Sequence, residues 1–170
     1  MSTPTPKSTK KPHAEPVLPN VLVVCHGNTH RSALAHAVLA KKLGSDRVKS
    51  CGVKPGAKGP AAKKVREWAA AKGYDLTAHR AQEVTEDLLR WVDEDEDRPA
   101  GIILYMDGGN LLRLEAKHPG LEMTCLAGYL DQTRIPDPAF IPRGPKLDAI
   151  LDLVVKCSEE CARRILKENL

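Results

Sequence analysis

Apolar and polar positions follow two alternating rhythms along this chain. Val21 to Val24 is a continuous apolar run, as expected of a strand covered on both faces. From Ser32 to Leu43 the spacing turns helical, and Gly44 supplies a stop. Arg47 to Cys51 then reads as a second strand and Gly52 to Gly59 as a loop punctuated by Gly and Pro. Pro60 to Lys72 reads as a helix with Pro60 in its first turn and Gly73 past its end. Thr85 to Trp91 is a short helix, Gly101 to Met106 a third strand, Gly108 to Lys117 a helix stopping before Pro119, and Glu122 to Leu126 a fourth strand. Lys146 to Glu168 aligns Leu147, Ile150, Leu151, Val154, Cys157, Cys161 and Ile165 on one face of a long helix. Strands separated by helices predict an α/β fold, a parallel sheet with helices on both faces.

Residues 1–18 lack this periodicity. Rich in Ser, Thr, Pro and Lys, they read as a disordered, lightly basic tail (Lys7, Lys10, Lys11) ahead of a single domain over 19–170. The net charge of +4 is too mild to argue for a nucleic-acid partner. No apolar run approaches the roughly 18 residues that span a bilayer, and the N-terminus lacks the apolar core of a secretory signal. The five cysteines are odd in number and scattered, which predicts free thiols in a reducing, cytoplasmic setting. None forms a C-x-x-C pair, so no zinc site is expected. The acidic run Asp93 to Asp97 reads as a solvated loop.

The chemistry concentrates in VLVVCHGNTHRSALAHAVLA. Cys25 stands at the carboxyl end of the first strand, where open parallel sheets bind their ligands. Gly27 and Asn28 tolerate unusual backbone angles, so the segment from His26 to His30 can turn its amides inward as an anion nest at a helix N-terminus. Arg31 adds a planar fork of donors suited to phosphate oxygens. A cysteine beside a cation at a helix N-terminus is favoured as thiolate, and under a phosphate cradle it is a nucleophile for phosphoryl transfer. The loop to Ser32 is therefore the candidate site, with His26, Gly27, Asn28, Thr29, His30, Arg31 and Ser32 around the phosphate. In IPDPAF, Asp137 lies between two prolines, on a loop stiff enough to hold a proton donor for a leaving oxygen; an ordinary Asp-Pro turn is the plainer reading.

CHGNTHRS followed by a helix, with DPAF far downstream, resembles the low-molecular-weight protein tyrosine phosphatases, and the similarity runs from Val21 to Leu170. The resemblance implies a flavodoxin-like three-layer sandwich with a four-stranded parallel sheet and no cofactor or metal. It implies Cys25 as nucleophile, Arg31 as phosphate clamp and Asp137 as general acid. Asn28 matches the asparagine that shapes the loop, and Ser32 the serine that supports the thiolate. Ser50 and His79 match positions bonding toward the asparagine, and Asp107 matches a structural aspartate. Implied partners are a phosphorylated protein or small aryl phosphate, with inorganic phosphate or a similar oxyanion in the loop.

Departures from the family pattern define what is particular here. His30 stands where many members have a second cysteine, so redox protection would fall to Cys51 or another thiol. Ala33 and His36 replace a common proline and glutamate, and are expected to matter for packing. The loop KPGAKG has no aromatic, and Ala139 follows Asp137-Pro138 where tyrosine is common, leaving only Phe140 to clamp a phenyl ring. Thr29 resembles the arginine-phosphatase branch of the family. Phosphotyrosine hydrolysis is thus the main expectation and phosphoarginine hydrolysis the alternative. An arsenate reductase would need two further cysteines roughly seventy to eighty residues beyond the first, and none lies between Cys51 and Cys125. A phosphate-binding module without turnover would have no use for a nucleophile and an acid together. His26, His30 and His36 belong to the anion loop and its helix, which argues against a metal.

Overall fold

The strand β1 (Val21–Cys25) is the centre of the molecule, and every residue of it is buried. A computed structural model describes residues 14–170; most of the expected tail lies outside them. In chain order β1 is followed by α1 (Arg31–Leu43), β2 (Val48–Gly52), α2 (Lys63–Ala71), α3 (Glu86–Val92), β3 (Ile102–Tyr105), α4 (Gly108–Lys117), β4 (Thr124–Cys125) and α5 (Pro145–Glu168). The sheet is wholly parallel, in the order β2-β1-β3-β4. Alternation along β1 divides the core. Val21, Val23 and Cys25 face a cluster built with α1, α2 and α5, whereas Leu22 and Val24 face a smaller one built with α3 and α4. This is the flavodoxin-like three-layer arrangement the family resemblance implied, and it opens between β1 and β3, where the strand order reverses.

Element boundaries differ from the sequence pattern in instructive places. α2 begins at Lys63, not at Pro60. The Ala81 amide donates to Gly59 O (2.8 Å) and the Ala62 amide to Thr29 O (2.9 Å), so long-range bonds hold this approach extended against the phosphate-loop segment. β4 has two residues where five were expected, because Leu126 to Leu130 winds into a 3-10 turn. Arg47 ends a 3-10 turn, so β2 starts at Val48. Leu18, assigned to the tail by composition, is buried in the larger core cluster.

Candidate active site

Chain segments that follow three strands meet at one small cavity and at Arg31, which forms part of its wall. β1 delivers Cys25 and the turn into α1, the end of β3 delivers Asp107, and the chain beyond β4 delivers Asp137. The cavity holds about 180 Å³ and is lined by Cys25, His26, Gly27, Thr29, His30, Arg31, Lys54, Gly56, Asp137 and Ala139. A larger open groove of about 400 Å³ lies behind α1, against His36 and His79, and contains none of the nucleophilic or acidic candidates.

The turn owes its shape to Asn28, which is fully buried and sits at φ +55°, a left-handed conformation that asparagine tolerates better than most residues. Its Oδ1 accepts from the Gln82 amide (3.0 Å). That bond fixes the amide's orientation, so Nδ2 donates to Ser32 Oγ (2.8 Å) and Ser50 Oγ (3.1 Å). Ser32 Oγ, already accepting, has its proton to donate to Cys25 Sγ, 3.0 Å away. The Asn28 amide also approaches Sγ at 3.3 Å. Two donors thus converge on the sulfur. Gly52 passes so close beneath the turn that a Cβ there would stand 2.8 Å from His26 O and 3.0 Å from the Asn28 amide.

Arg31 is 1% exposed, and its Nη1 donates to Asp107 Oδ2 (2.6 Å) and to Ile135 O (2.8 Å). Nη2 reaches Asp137 Oδ2 at 3.6 Å, and Nε has no hydrogen-bond partner among the described residues. The Nε–Nη2 edge is the one that grips two oxygens of an oxyanion side by side. Burial pushes the Asp107 carboxyl up, but the Arg31 guanidinium and the Asn110 amide outweigh it and hold its pKa below the ordinary value. Asp137 has its side chain 45% exposed, with Oδ1 accepting from the Ala139 amide (3.0 Å) and Oδ2 turned toward Arg31.

The remaining candidates fall around this centre. His79 donates through Nε2 to Asn28 O (2.7 Å). His30 and Thr29 pair with each other, Nδ1 to Oγ1 at 2.8 Å, on the cavity wall. Burial, then the charge of Lys64, holds the His30 imidazole below its ordinary pKa. His36 was expected to matter for packing, yet its Nδ1 lies 2.9 Å from Ser50 Oγ, and its ring stands edge-on to that of His79. It therefore belongs to the polar chain that supports Asn28. The signal was available: four residues after Ser32, it shares the helix face that carries Ser32. His26 and His30 line the small cavity while His36 turns to Ser50, and among the described residues no group of three His, Cys, Asp or Glu side chains is arranged to hold a metal.

The chain matches the family model described as low molecular weight phosphotyrosine protein phosphatase over residues 20–169. The chain belongs to this phosphatase family. It is 30% identical over 148 residues to the low molecular weight protein-tyrosine-phosphatase Etp of Escherichia coli K12, covering 86% of this chain and 94% of that protein. Among solved structures, Vibrio vulnificus Wzb in complex with benzylphosphonate superposes with a TM-score of 0.73 at 25% identity, covering 86% of this chain and 99% of that one. The YwlE arginine phosphatase from Geobacillus stearothermophilus shares the fold, with a TM-score of 0.74 at 24% identity over 88% of this chain and 94% of its own.

As a member of this family, the chain is a cysteine-dependent phosphatase, and its five cysteines are all free. Cys51 pairs in register with Val24 and faces the α3–α4 side, opposite to Cys25. Burial pushes its thiol well above the ordinary value. In this phosphatase Cys51 is therefore poorly placed to protect the nucleophile as a disulfide. Phe140, the one aromatic left near the acid, is 97% exposed and does not line the cavity.

Proposed function

We propose that this phosphatase hydrolyses phosphotyrosine in proteins, and small aryl phosphates, through a phosphocysteine on Cys25. The observation that carries the reading is the buried guanidinium of Arg31. Its Nη1 is held by Asp107 and Ile135 while Nε, unpaired among the described residues, lies in the loop that carries Cys25. A buried donor without a partner calls for an explanation, and an oxyanion cradled by the 26–32 amides supplies one.

In this reading Cys25 Sγ attacks phosphorus in line with the ester oxygen. The S–P bond forms as the P–O bond breaks, and Asp137, in its acid form, gives its proton through Oδ2 to the departing oxygen. Arg31 and the loop amides carry the charge of the equatorial oxygens throughout. Asp137 then takes a proton from water as that water attacks phosphorus, and the thiolate leaves toward the Ser32 hydroxyl. Asn28, held by Ser50 and His79, keeps the loop in the shape both steps need. Ordinary turnover requires no metal in this scheme. A cytoplasmic, reducing setting fits the free thiols; no described helix is long and apolar enough to cross a membrane.

Phosphoarginine is the second reading, favoured by Thr29 on the cavity wall and by the want of an aromatic side chain there. Side-by-side kinetics on matched phosphotyrosine and phosphoarginine peptides test the choice. A kcat/KM at least tenfold higher for phosphotyrosine is expected; the reverse preference would transfer the chain to the second reading. Cys25→Ser should abolish turnover of both peptides yet still bind phosphate.

A further inference from the structure

We propose that Lys64 is a positioning residue that sets the general acid, acting through the backbone of the acid loop; this rests on the reading of Asp137 as the acid. Lys64 is the second residue of α2. Its ammonium donates to three carbonyls of one turn, Pro138 O at 2.7 Å, Ala139 O at 3.0 Å and Ile141 O at 2.7 Å. An ammonium has three donors, and all three are spent on the turn that begins one residue after Asp137.

The consequence for the carboxyl is direct. The Ile141 amide closes the turn onto Pro138 O (3.0 Å), and the Ala139 amide bonds Asp137 Oδ1 (3.0 Å). The clamp on Pro138 and Ala139 therefore fixes the peptide that holds Oδ1, which leaves Oδ2 as the oxygen turned toward the cavity and Arg31. On the other side, Ile135 is tied by its amide to Met106 O (2.8 Å) and by its carbonyl to Arg31. Asp137 is suspended between these two anchors. Because the Ala62 amide bonds Thr29 O (2.9 Å), the start of α2 also ties the acid loop to the phosphate loop.

Helix stability does not explain this lysine. α2 opens with Lys63 and Lys64 and has no acidic residue in its first turn, so two cations sit at the end of the helix where the peptide dipoles are positive. The placement runs against the local preference and suits the loop. Reactions that need a positioned proton donor are sensitive: a displacement of about 1 Å can cost on the order of a hundredfold in rate.

The test is a leaving-group series of aryl phosphates on wild type, Lys64→Met, Lys64→Arg, Asp137→Asn and the double variant Lys64→Met/Asp137→Asn, with the inhibition constant for inorganic phosphate measured on each. Lys64→Met should lower kcat/KM, which reports the steps up to phosphoryl transfer onto Cys25, by about tenfold or more on phenyl phosphate and by less than about twofold on an aryl phosphate whose phenol is strongly acidic and needs no proton. Phosphate inhibition should stay within about twofold of wild type, and Lys64→Arg should restore part of the loss. In the Asp137→Asn background, Lys64→Met should add no leaving-group dependence. Equal losses across the series in Lys64→Met, with Asp137→Asn still steep, would overturn the role of Lys64 and leave the acid in place. A flat series for Asp137→Asn itself would overturn the acid reading and this proposal with it.

Discussion

His36 should make the stability of this phosphatase fall as pH drops from about 6.5 toward 4, and removing it should flatten that slope. Its Nδ1 faces Ser50 Oγ, which already accepts from Asn28 Nδ2, so the serine donates and the imidazole accepts as the neutral tautomer. Burial first, and then the neighbouring His79, push the His36 pKa down to about 4. In the unfolded chain the group titrates near 6.5, so between the two values the unfolded state binds more protons, and stability is full above about 6.5 and lost as pH falls through 4. At about 1.4 kcal/mol per pH unit, the loss approaches roughly 3 kcal/mol. His79 adds to it with the same sign, since burial holds its imidazole down despite the bond to Asn28 O. Glutamine at 36 can still accept from Ser50 but cannot titrate. The assay is urea unfolding of wild type and His36→Gln at pH steps from 7.5 to 4.5. The difference between their unfolding free energies should shift progressively against wild type below pH 6.5. Parallel curves would show that His36 does not stay neutral in the folded loop, and the hydrogen-bond directions inferred from Asn28 to His36 would be wrong.

Two further substitutions probe the same loop from other sides. Gly52→Ala places a Cβ 2.8 Å from His26 O, a contact with backbone that cannot rotate away; activity and phosphate affinity should both drop at least tenfold while β1–β2 pairing survives, as judged by circular dichroism. Asp107→Asn keeps a cap acceptor for the Asn110 amide (2.9 Å) but removes the charge facing Arg31. It should cost about 1–3 kcal/mol, and saturating phosphate should recover more of the melting temperature than it adds to wild type, because the anion then neutralises the guanidinium.

Local features of the site were legible in the sequence, and distant ones were not. Cys25 to Ser32 declares itself because one strand, one turn and one helix N-terminus fall within a dozen residues, and their chemistry depends on spacing alone. The fold follows for the same reason: β1 is apolar throughout because both of its faces are covered. Ser50 and His79 came only through the family resemblance, since nothing in their local sequence says that they meet at Asn28. The bond between Arg31 and Asp107 spans 76 residues and joins the starts of α1 and α4, which follow the neighbouring strands β1 and β3, so it depends on strand order rather than on either neighbourhood. Lys64 carries no signal at all: in a run of lysines it resembles any solvated helix start, and only the folded chain brings it to the acid loop. The late start of α2 has a similar origin, in long-range bonds that override local propensity, whereas β4 is cut short where Leu126 to Leu130 winds into a 3-10 turn.

The phosphoryl group itself gives the most direct test. Asp137→Asn, mixed rapidly with an aryl phosphate whose phenol is strongly acidic, should phosphorylate readily but hydrolyse slowly, because no carboxylate remains to activate water. A denaturing alkaline quench, which spares both S–P and N–P bonds, followed by peptide mapping by mass spectrometry, locates the intermediate. One phosphoryl group on the peptide containing Cys25, assigned to its sulfur and lost in Cys25→Ser, is the predicted result. A burst of phenol with the phosphoryl group on His26 or His30, or with no phosphorylated peptide, would contradict the phosphocysteine mechanism.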